Sequence, residues 1–269
     1  MNLMEGDCLD LMLQVPPSSV DLILCDLPYG TTQCKWDSVI PFDKLWSEYL
    51  RIAKDSAAIV LTSMQPFTSA LIMSQPNLFK YEWIWEKGSA TGFLNAKKQP
   101  LRAHEGICVF YRKQCTYNPQ ITYGHERKTA TKKTVNSECY GKAIKVTDYD
   151  STDRYPRSVQ FFSSDKQRVN LHPTQKPLAL MEYLVKTYSN EGDLILDNCM
   201  GSGTTGEACA LNNRRFIGIE QDPLHYKTAV ERLAKYLTPN PQPLSIGERH
   251  EQRNTNDPQR TFADEANYG

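Results

Sequence analysis

Two short stretches at opposite ends of the chain carry residue types that could do chemistry. The first is Asp26-Leu27-Pro28-Tyr29-Gly30. A carboxylate accepts hydrogen bonds from an amine, a proline fixes a turn and a tyrosine offers a stacking face, so this stretch can hold a planar amine. Asp, Pro and Gly also form turns in their own right, and a plain strand-ending turn accounts for them equally well. The second stretch is an apolar run, Leu194 to Leu196, that ends at Asp197-Asn198-Cys199 and leads into Gly201, Ser202, Gly203, Thr204 and Thr205. Glu220 and Gln221 follow about 20 residues further on, the layout of a cofactor loop with a later carboxylate for ribose hydroxyls. Read literally, Gly201, Gly203 and Gly206 also match G-x-G-x-x-G, so the pattern alone leaves a nicotinamide cofactor open.

Elements of a particular kind must position these stretches. Val20–Cys25 is a short apolar run stopping at the first of them, and reads as a buried strand. Further strands are predicted at 57–61, 81–86, 106–111, 194–197 and 216–220, with helical patterns over 41–54, 178–188, 207–211 and 223–237. Asp7 reads as the N-cap of a helix over Cys8–Leu13. Strands alternating with helices argue for crossover units and a mostly parallel α/β sheet with helices on both faces. Both candidate sites then fall at carboxyl ends of strands, where such sheets bind ligands.

Composition narrows the class of protein. The chain has 269 residues with 31 Lys+Arg against 31 Asp+Glu, so no global field drives it onto a polyanion. Any such partner must meet a local patch, and residues 112–170 supply one: twelve Lys and Arg against six Asp and Glu, interleaved with tyrosines. The bland reading of that excess is a solvated insertion. The eight cysteines show no C-x-x-C pairing, no secretion signal precedes them and no apolar run is long enough for a membrane helix. The expectation is a soluble cytoplasmic protein with reduced thiols, no structural metal and no membrane partner. Beyond Thr238 apolar residues become scarce, and the tail 238–269 is predicted to be disordered.

Between the two stretches lies His172-Pro173-Thr174-Gln175-Lys176-Pro177. With Asp-Leu-Pro-Tyr ahead of it and Gly-Ser-Gly-Thr-Thr behind, the chain resembles the S-adenosylmethionine-dependent amino-methyltransferases of DNA, in the permuted order of their β class. The resemblance spans roughly residues 3 to 235. It implies a circularly permuted, Rossmann-like methyltransferase sheet: a catalytic half over 1–111, a basic target-recognition insertion over 112–170, and a cofactor-binding half over 171–237. Two departures stand out. Leu27 replaces the first proline of the usual Asp-Pro-Pro-Tyr, keeping the backbone carbonyl that matters, and Asn198-Cys199 replaces the common Pro-Phe of the cofactor loop.

The resemblance implies roles for named residues. Asp26, Leu27, Pro28 and Tyr29 would be catalytic, Tyr29 stacking on a flipped base while Asp26 and the Leu27 carbonyl accept its amino hydrogens. The cofactor would be held by Asp7, Cys8, Asp26, His172, Thr174, Lys176, Asp197, Asn198, Cys199, Gly201, Ser202, Gly203, Thr204, Thr205, Glu220 and Gln221, with His172 and Lys176 near its carboxylate end. Arg127, Lys128, Lys132, Lys133, Lys142, Lys145, Arg154 and Arg157 would contact double-stranded DNA. Asp rather than Ser at position 26 resembles the adenine-directed members, so the expected product is N6-methyladenine, with N4-methylcytosine, an RNA substrate or a catalytically silent DNA-binding relative as alternatives. C5-cytosine chemistry needs a cysteine in a Pro-Cys context, which the chain lacks. A cognate restriction endonuclease and a second copy of the chain are left open as partners. Trp83 and Trp85 are expected to pack in the sheet or cleft, Trp36 to lie in a loop near Tyr29, and His104 and Glu105 to be structural.

Overall fold

An apolar run broken only by Asp21 forms strand β2 (Val20–Cys25), and its side chains alternate between two cores. Ile23 and Cys25 enter one hydrophobic cluster, Leu22 and Leu24 the other, all fully buried. A strand covered on both faces suits the interior of a parallel sheet. β2 pairs in parallel on both edges, with β3 (Ala53–Ser63) and β9 (Leu194–Asp197). The computed structural model describes residues 1–31, 37–131, 148–163 and 175–236, which belong to one compact unit. The predicted tail, Trp36 and much of the basic stretch lie outside the described residues.

Among the described residues the main sheet has eight strands, in the order β1-β10-β9-β2-β3-β5-β4-β8. It adds β1 (Asn2–Glu5), β4 (Phe79–Thr91), β5 (Arg102–Phe110), β8 (Val159–Phe162) and β10 (Arg215–Glu220). β5 runs antiparallel to both its neighbours, and every other pairing in the sheet is parallel. Helices α1 (Cys8–Met12), α2 (Phe42–Ile52) and α3 (Phe67–Ser74) complete one core; α4 (Leu178–Tyr188), α5 (Thr204–Leu211) and α6 (Pro223–Leu233) complete the other. This is the α/β architecture the alternating pattern predicts. β1 lies beside β10 with Glu5 opposite Glu220, so the first strand of the sequence follows the last one in space, as a permuted order demands.

Several boundaries differ from the sequence reading. β3 starts at Ala53 rather than 57, because Ala53 pairs with Val20 and Lys54 is held by Asp21 at 2.6 Å, which draws the end of the expected helix into the sheet. α5 starts at Thr204 rather than Glu207, since Gly203 at φ 79° takes the cap position. α6 ends at Leu233 and a short 3-10 turn replaces its last residues. α3 was not foreseen. Nor is the stretch 112–170 a separate body throughout. β8 joins the main sheet beside β4, and Cys115 is buried in the core. Asn118 fastens the same stretch to the end of α4, its amide donating to the carbonyls of Lys186 and Ser189 at 3.1 Å each. Among the described residues of this stretch, only β6 (Lys128–Thr131) and β7 (Asp148–Ser151) form a ribbon of their own.

Trp83 and Trp85 are buried packing residues, as expected. The Trp83 indole donates to the Tyr188 hydroxyl at 2.5 Å, and Tyr81 shares that hydroxyl at 3.1 Å, which joins β4 to α4. Tyr188→Phe leaves the indole N–H buried without an acceptor and should destabilise the protein by about 1–3 kcal/mol, measured by urea unfolding. An unchanged midpoint would show that the hydroxyl bears no load.

Candidate active site

The chain leaves β2 toward β3 and β9 toward β10, in opposite directions, so the carboxyl ends of these neighbours flank a crevice. A cavity of about 320 Å³ opens there, within the range of small-molecule sites. Both chemistry-bearing stretches line it. Asp26, Leu27, Pro28 and Tyr29 come from one, and Asp197, Asn198, Cys199, Gly201, Ser202, Thr204 and Thr205 from the other. Asp7, Cys8, Lys176, Glu220 and Gln221 join them. Gly203 stands behind the wall, where an added Cβ would come within 3.2 Å of the Ala229 Cβ. His172 and Thr174 lie outside the described residues.

Asp26 is the most heavily engaged group. Its Oδ1 accepts from the Tyr29 hydroxyl at 2.8 Å and from the Thr62 hydroxyl, and its Oδ2 accepts from the Lys176 ammonium at 2.7 Å. Lys176 is only 6% exposed and also meets Glu105 at 3.2 Å, while Glu105 pairs with Lys87 at 2.5 Å. Burial works against the ammonium of Lys176, yet the adjoining Asp26, Tyr29 and Glu105 outweigh it and hold its pKa well above the usual lysine value. Burial likewise opposes the charge on Glu105, and Lys176 and Lys87 overcome it, so that its pKa is lowered. Lys176, expected at the carboxylate end of a cofactor, is therefore already committed to two protein carboxylates. Glu105, expected to be structural, lines the cavity. The Tyr29 ring packs on Phe67 with centroids 5.2 Å apart and has the Lys176 ammonium 5.6 Å from its centre. Past the turn, Asp37 accepts from the backbone N–H of Gly30 and Thr31 at 2.9 Å each and fixes the loop.

The glycine turn is held by carboxylates. Glu220 accepts from Gly201 N–H through Oε2 and from Asp222 N–H through Oε1, both at 2.9 Å. Asp7 caps α1, its Oδ1 accepting from Leu9 N–H at 2.7 Å. Tyr49 on α2 donates to Asn198 at 2.6 Å. Beneath the turn, Cys199 hydrogen-bonds with Cys25 and Cys8, contacts that raise its thiol pKa, and burial pushes Cys25 up to about 12. Burial also pushes Asp197 up to about 7, against hydrogen bonds from Thr205, Cys199 and Cys25 that favour its charged form. Thr62, Lys87, Asp37 and Tyr49 are not singled out by the sequence, which gives Glu105 only a structural role. Their roles arise from contacts between distant segments, and no local motif marks them.

The basic ribbon gives a mixed result. Arg127 pairs with Asp150 at 2.5 Å on the surface. The Arg154 guanidinium donates to the carbonyls of Glu126, Ser151 and Asp153, so it staples the ribbon. Lys128 and Arg157 are exposed. Lys132, Lys133, Lys142 and Lys145 lie outside the described residues. Among the described residues no group of three or more His, Cys, Asp or Glu could hold a metal ion, and no helix is long and apolar enough to cross a membrane.

The crevice sets an acidic-aromatic turn and a glycine turn against one cavity, and comparison with known proteins identifies the family. A family model described as DNA methylase matches residues 20–231. The type II methyltransferase M1.MboII of Moraxella bovis is 30% identical over 240 residues, 81% of this chain and 90% of the relative. DNA adenine methyltransferase YhdJ of Escherichia coli is 27% identical, over 86% of this chain and 82% of its own. The crystal structure of an M1.HpyAVI–SAM complex superposes with a TM-score of 0.59 at 24% identity, covering 86% of this chain and 98% of that one. PvuII DNA methyltransferase, titled cytosine-N4-specific, gives 0.59 at 14% identity over 89% and 87%. The chain belongs to the N6/N4 DNA methylase family, the S-adenosylmethionine-dependent amino-methyltransferases of DNA.

The crevice suits that cofactor. Backbone at Gly201 forms part of its wall, and carboxylates at Asp7, Asp197 and Glu220 are spaced along it to meet hydroxyl, amine and cationic groups. Asp197 also gives a pH test. Between about pH 4 and its raised value near 7, the folded protein keeps a proton that the unfolded chain has lost, so stability should fall as pH rises through that window and level off above it. Thermal melts of the cofactor-free protein should show this slope, and Asp197→Asn should flatten it. A variant with the wild-type slope would assign the titration elsewhere.

Proposed function

We propose that the chain transfers a methyl group to N6 of an adenine flipped out of duplex DNA. The observation that carries this reading is the Asp26 carboxylate at the cavity wall, bracketed by Tyr29, Thr62 and Lys176. S-adenosylmethionine supplies a methyl group activated on a sulfonium. Asp26 and the Leu27 carbonyl accept hydrogen bonds from the two amino hydrogens of the base, which draws the nitrogen toward tetrahedral geometry and aims its lone pair. As the new N–C bond forms the C–S bond would break to leave a neutral thioether, and the surplus proton on nitrogen would leave along the Asp26 hydrogen bond to solvent. Positioning of this kind supplies much of the rate in a transfer that needs no covalent enzyme intermediate. Asp7 binds the adenine end of the cofactor, Glu220 the ribose hydroxyls, and the glycine turn its methionine end.

The hydroxyl of Tyr29 sits on Asp26 while its ring lies against Phe67. For Tyr29 to stack on a base the ring must swing outward. That movement takes its hydroxyl off Oδ1 and frees an acceptor for the incoming amine, so one motion presents both the stacking face and the acceptor. Lys176 remains on Oδ2 and, with Glu105 behind it, keeps the carboxylate oriented.

Adenine is favoured by Asp at position 26 and by the Escherichia coli relative, whose name specifies adenine. The cytosine-specific neighbour shares the fold at 14% identity and does not bear on the base. Exposed Lys128 and Arg157 are placed to meet phosphates, and a cognate restriction endonuclease would be the functional counterpart, by analogy with the type II relatives.

Labelled methyl transfer to unmethylated genomic DNA, followed by nucleoside analysis, should give N6-methyladenine. N4-methylcytosine would overturn the choice of base, and no transfer with cofactor bound would overturn the substrate. Asp26→Ala should lower the transfer rate by roughly a thousandfold while cofactor affinity stays within about threefold. Full activity in that variant would remove Asp26 from the chemistry.

A further inference from the structure

The hairpin that joins β4 to β5 exposes two adjacent large apolar side chains. Residues 93–104 are exposed without interruption, and near the tip Phe93 and Leu94 are 75% and 84% exposed. Neither is covered by any other part of the described chain. Between Lys87 and His104 the sequence holds Lys87, Lys97, Lys98 and Arg102 and no carboxylate. An adjacent pair of large apolar side chains followed by bare cations is a poor surface for water and a good one for a polyanion with an apolar interior.

The position of the hairpin is as telling as its composition. β4 ends, and β5 begins, on the side of the sheet where β2 and β9 place the crevice. At the hairpin base, Arg102 reaches Met64 at 3.0 Å, and Met64 lines the cavity. Three residues further along β5, Glu105 lines the same cavity and holds both Lys176 and Lys87. The arm thus springs from the rim of the site. Gly92 at the bend has φ 88°, a conformation favoured by glycine, so the tip direction is set by the backbone.

We infer that the hairpin 92–101 is a DNA-inserting arm: Phe93 and Leu94 fill the gap that a flipped base leaves in the stack, while Lys97 and Lys98 hold the flanking phosphates. This rests on the reading of the crevice as a base-accepting site. A base withdrawn from the duplex leaves unstacked neighbours, and apolar side chains pushed between base steps compensate for that loss. Cations alongside neutralise phosphates and release counterions. The absence of acidic residues favours DNA over a second copy of a chain that is neutral overall.

Two surface double variants test this with unmethylated genomic duplex DNA as the probe. Phe93→Ala with Leu94→Ala should lower kcat for methyl transfer by about tenfold or more, with DNA affinity changed by less than about threefold, and Phe93→Trp alone should retain activity. Lys97→Gln with Lys98→Gln should weaken DNA binding and make the slope of log K against log salt shallower by about 1.8, at 0.9 per phosphate contact. Cofactor affinity and melting temperature should match wild type in all of them. Wild-type kcat and an unchanged salt slope in the variants would overturn the proposal. So would an apolar variant that shifts only the oligomeric state, which would give the patch to a second copy. The salt slope is read without turnover. A wild-type protein that transfers no methyl, yet shows the expected slope difference, would count against the reaction and leave the arm in place.

Discussion

A buried ammonium ion ties this site together. Lys176 cannot leave water without compensation, and the compensation comes from Asp26 at the end of β2 and Glu105 on β5, with Lys87 of β4 closing the row. Charges alternate along it, Asp26, Lys176, Glu105, Lys87, so the row is neutral as a whole while each member has an opposite neighbour. Because Lys176 immediately precedes Pro177 and α4, the same contact sets where that helix starts and brings the segment ahead of the cofactor half against the catalytic turn. The two halves of the permuted chain are joined here by charge, and elsewhere by strand pairing between β2 and β9.

On the cofactor side the same economy appears with backbone in place of lysine. Glu220 uses one oxygen on Gly201 and the other on Asp222, which fixes the glycine turn relative to the start of α6 before any ligand arrives. Each oxygen retains a further lone pair for hydroxyl groups. Asp7 divides its carboxylate in a similar way, one oxygen capping α1 and the other unassigned. Groups already held in place lose less freedom when a ligand binds.

What the sequence disclosed follows from what is local. Asp26-Leu27-Pro28-Tyr29 and the glycine turn each sit on consecutive residues at a strand end, and the apolar run Val20–Cys25, broken only by Asp21, marks a buried strand. The parallel sheet and the family followed from those. Thr62, Glu105 and Lys87 belong to the site through pairing of β3, β4 and β5, and a Glu beside a His on an antiparallel strand carries no sign of it. Charge counting found a basic insertion but not that Arg154 holds its own ribbon, since composition says nothing about intramolecular acceptors. The start of β3 was lost for a related reason: helix-like Ala53 and Lys54 were drawn into the sheet by Val20 and Asp21.

The sheet order has a consequence for how the molecule comes into being. β2 can pair with β3 soon after both leave the ribosome, but its other edge belongs to β9, and β1 belongs to β10. An apolar central strand must therefore wait with one side open until residues 194–197 have been made, and the first strand waits longer still. Contacts so distant in sequence are slow to close, and an open strand edge is a template for pairing with another chain. Synthesis of this protein passes through a stage in which a buried central strand is half solvated, and the interval depends on the rate of translation.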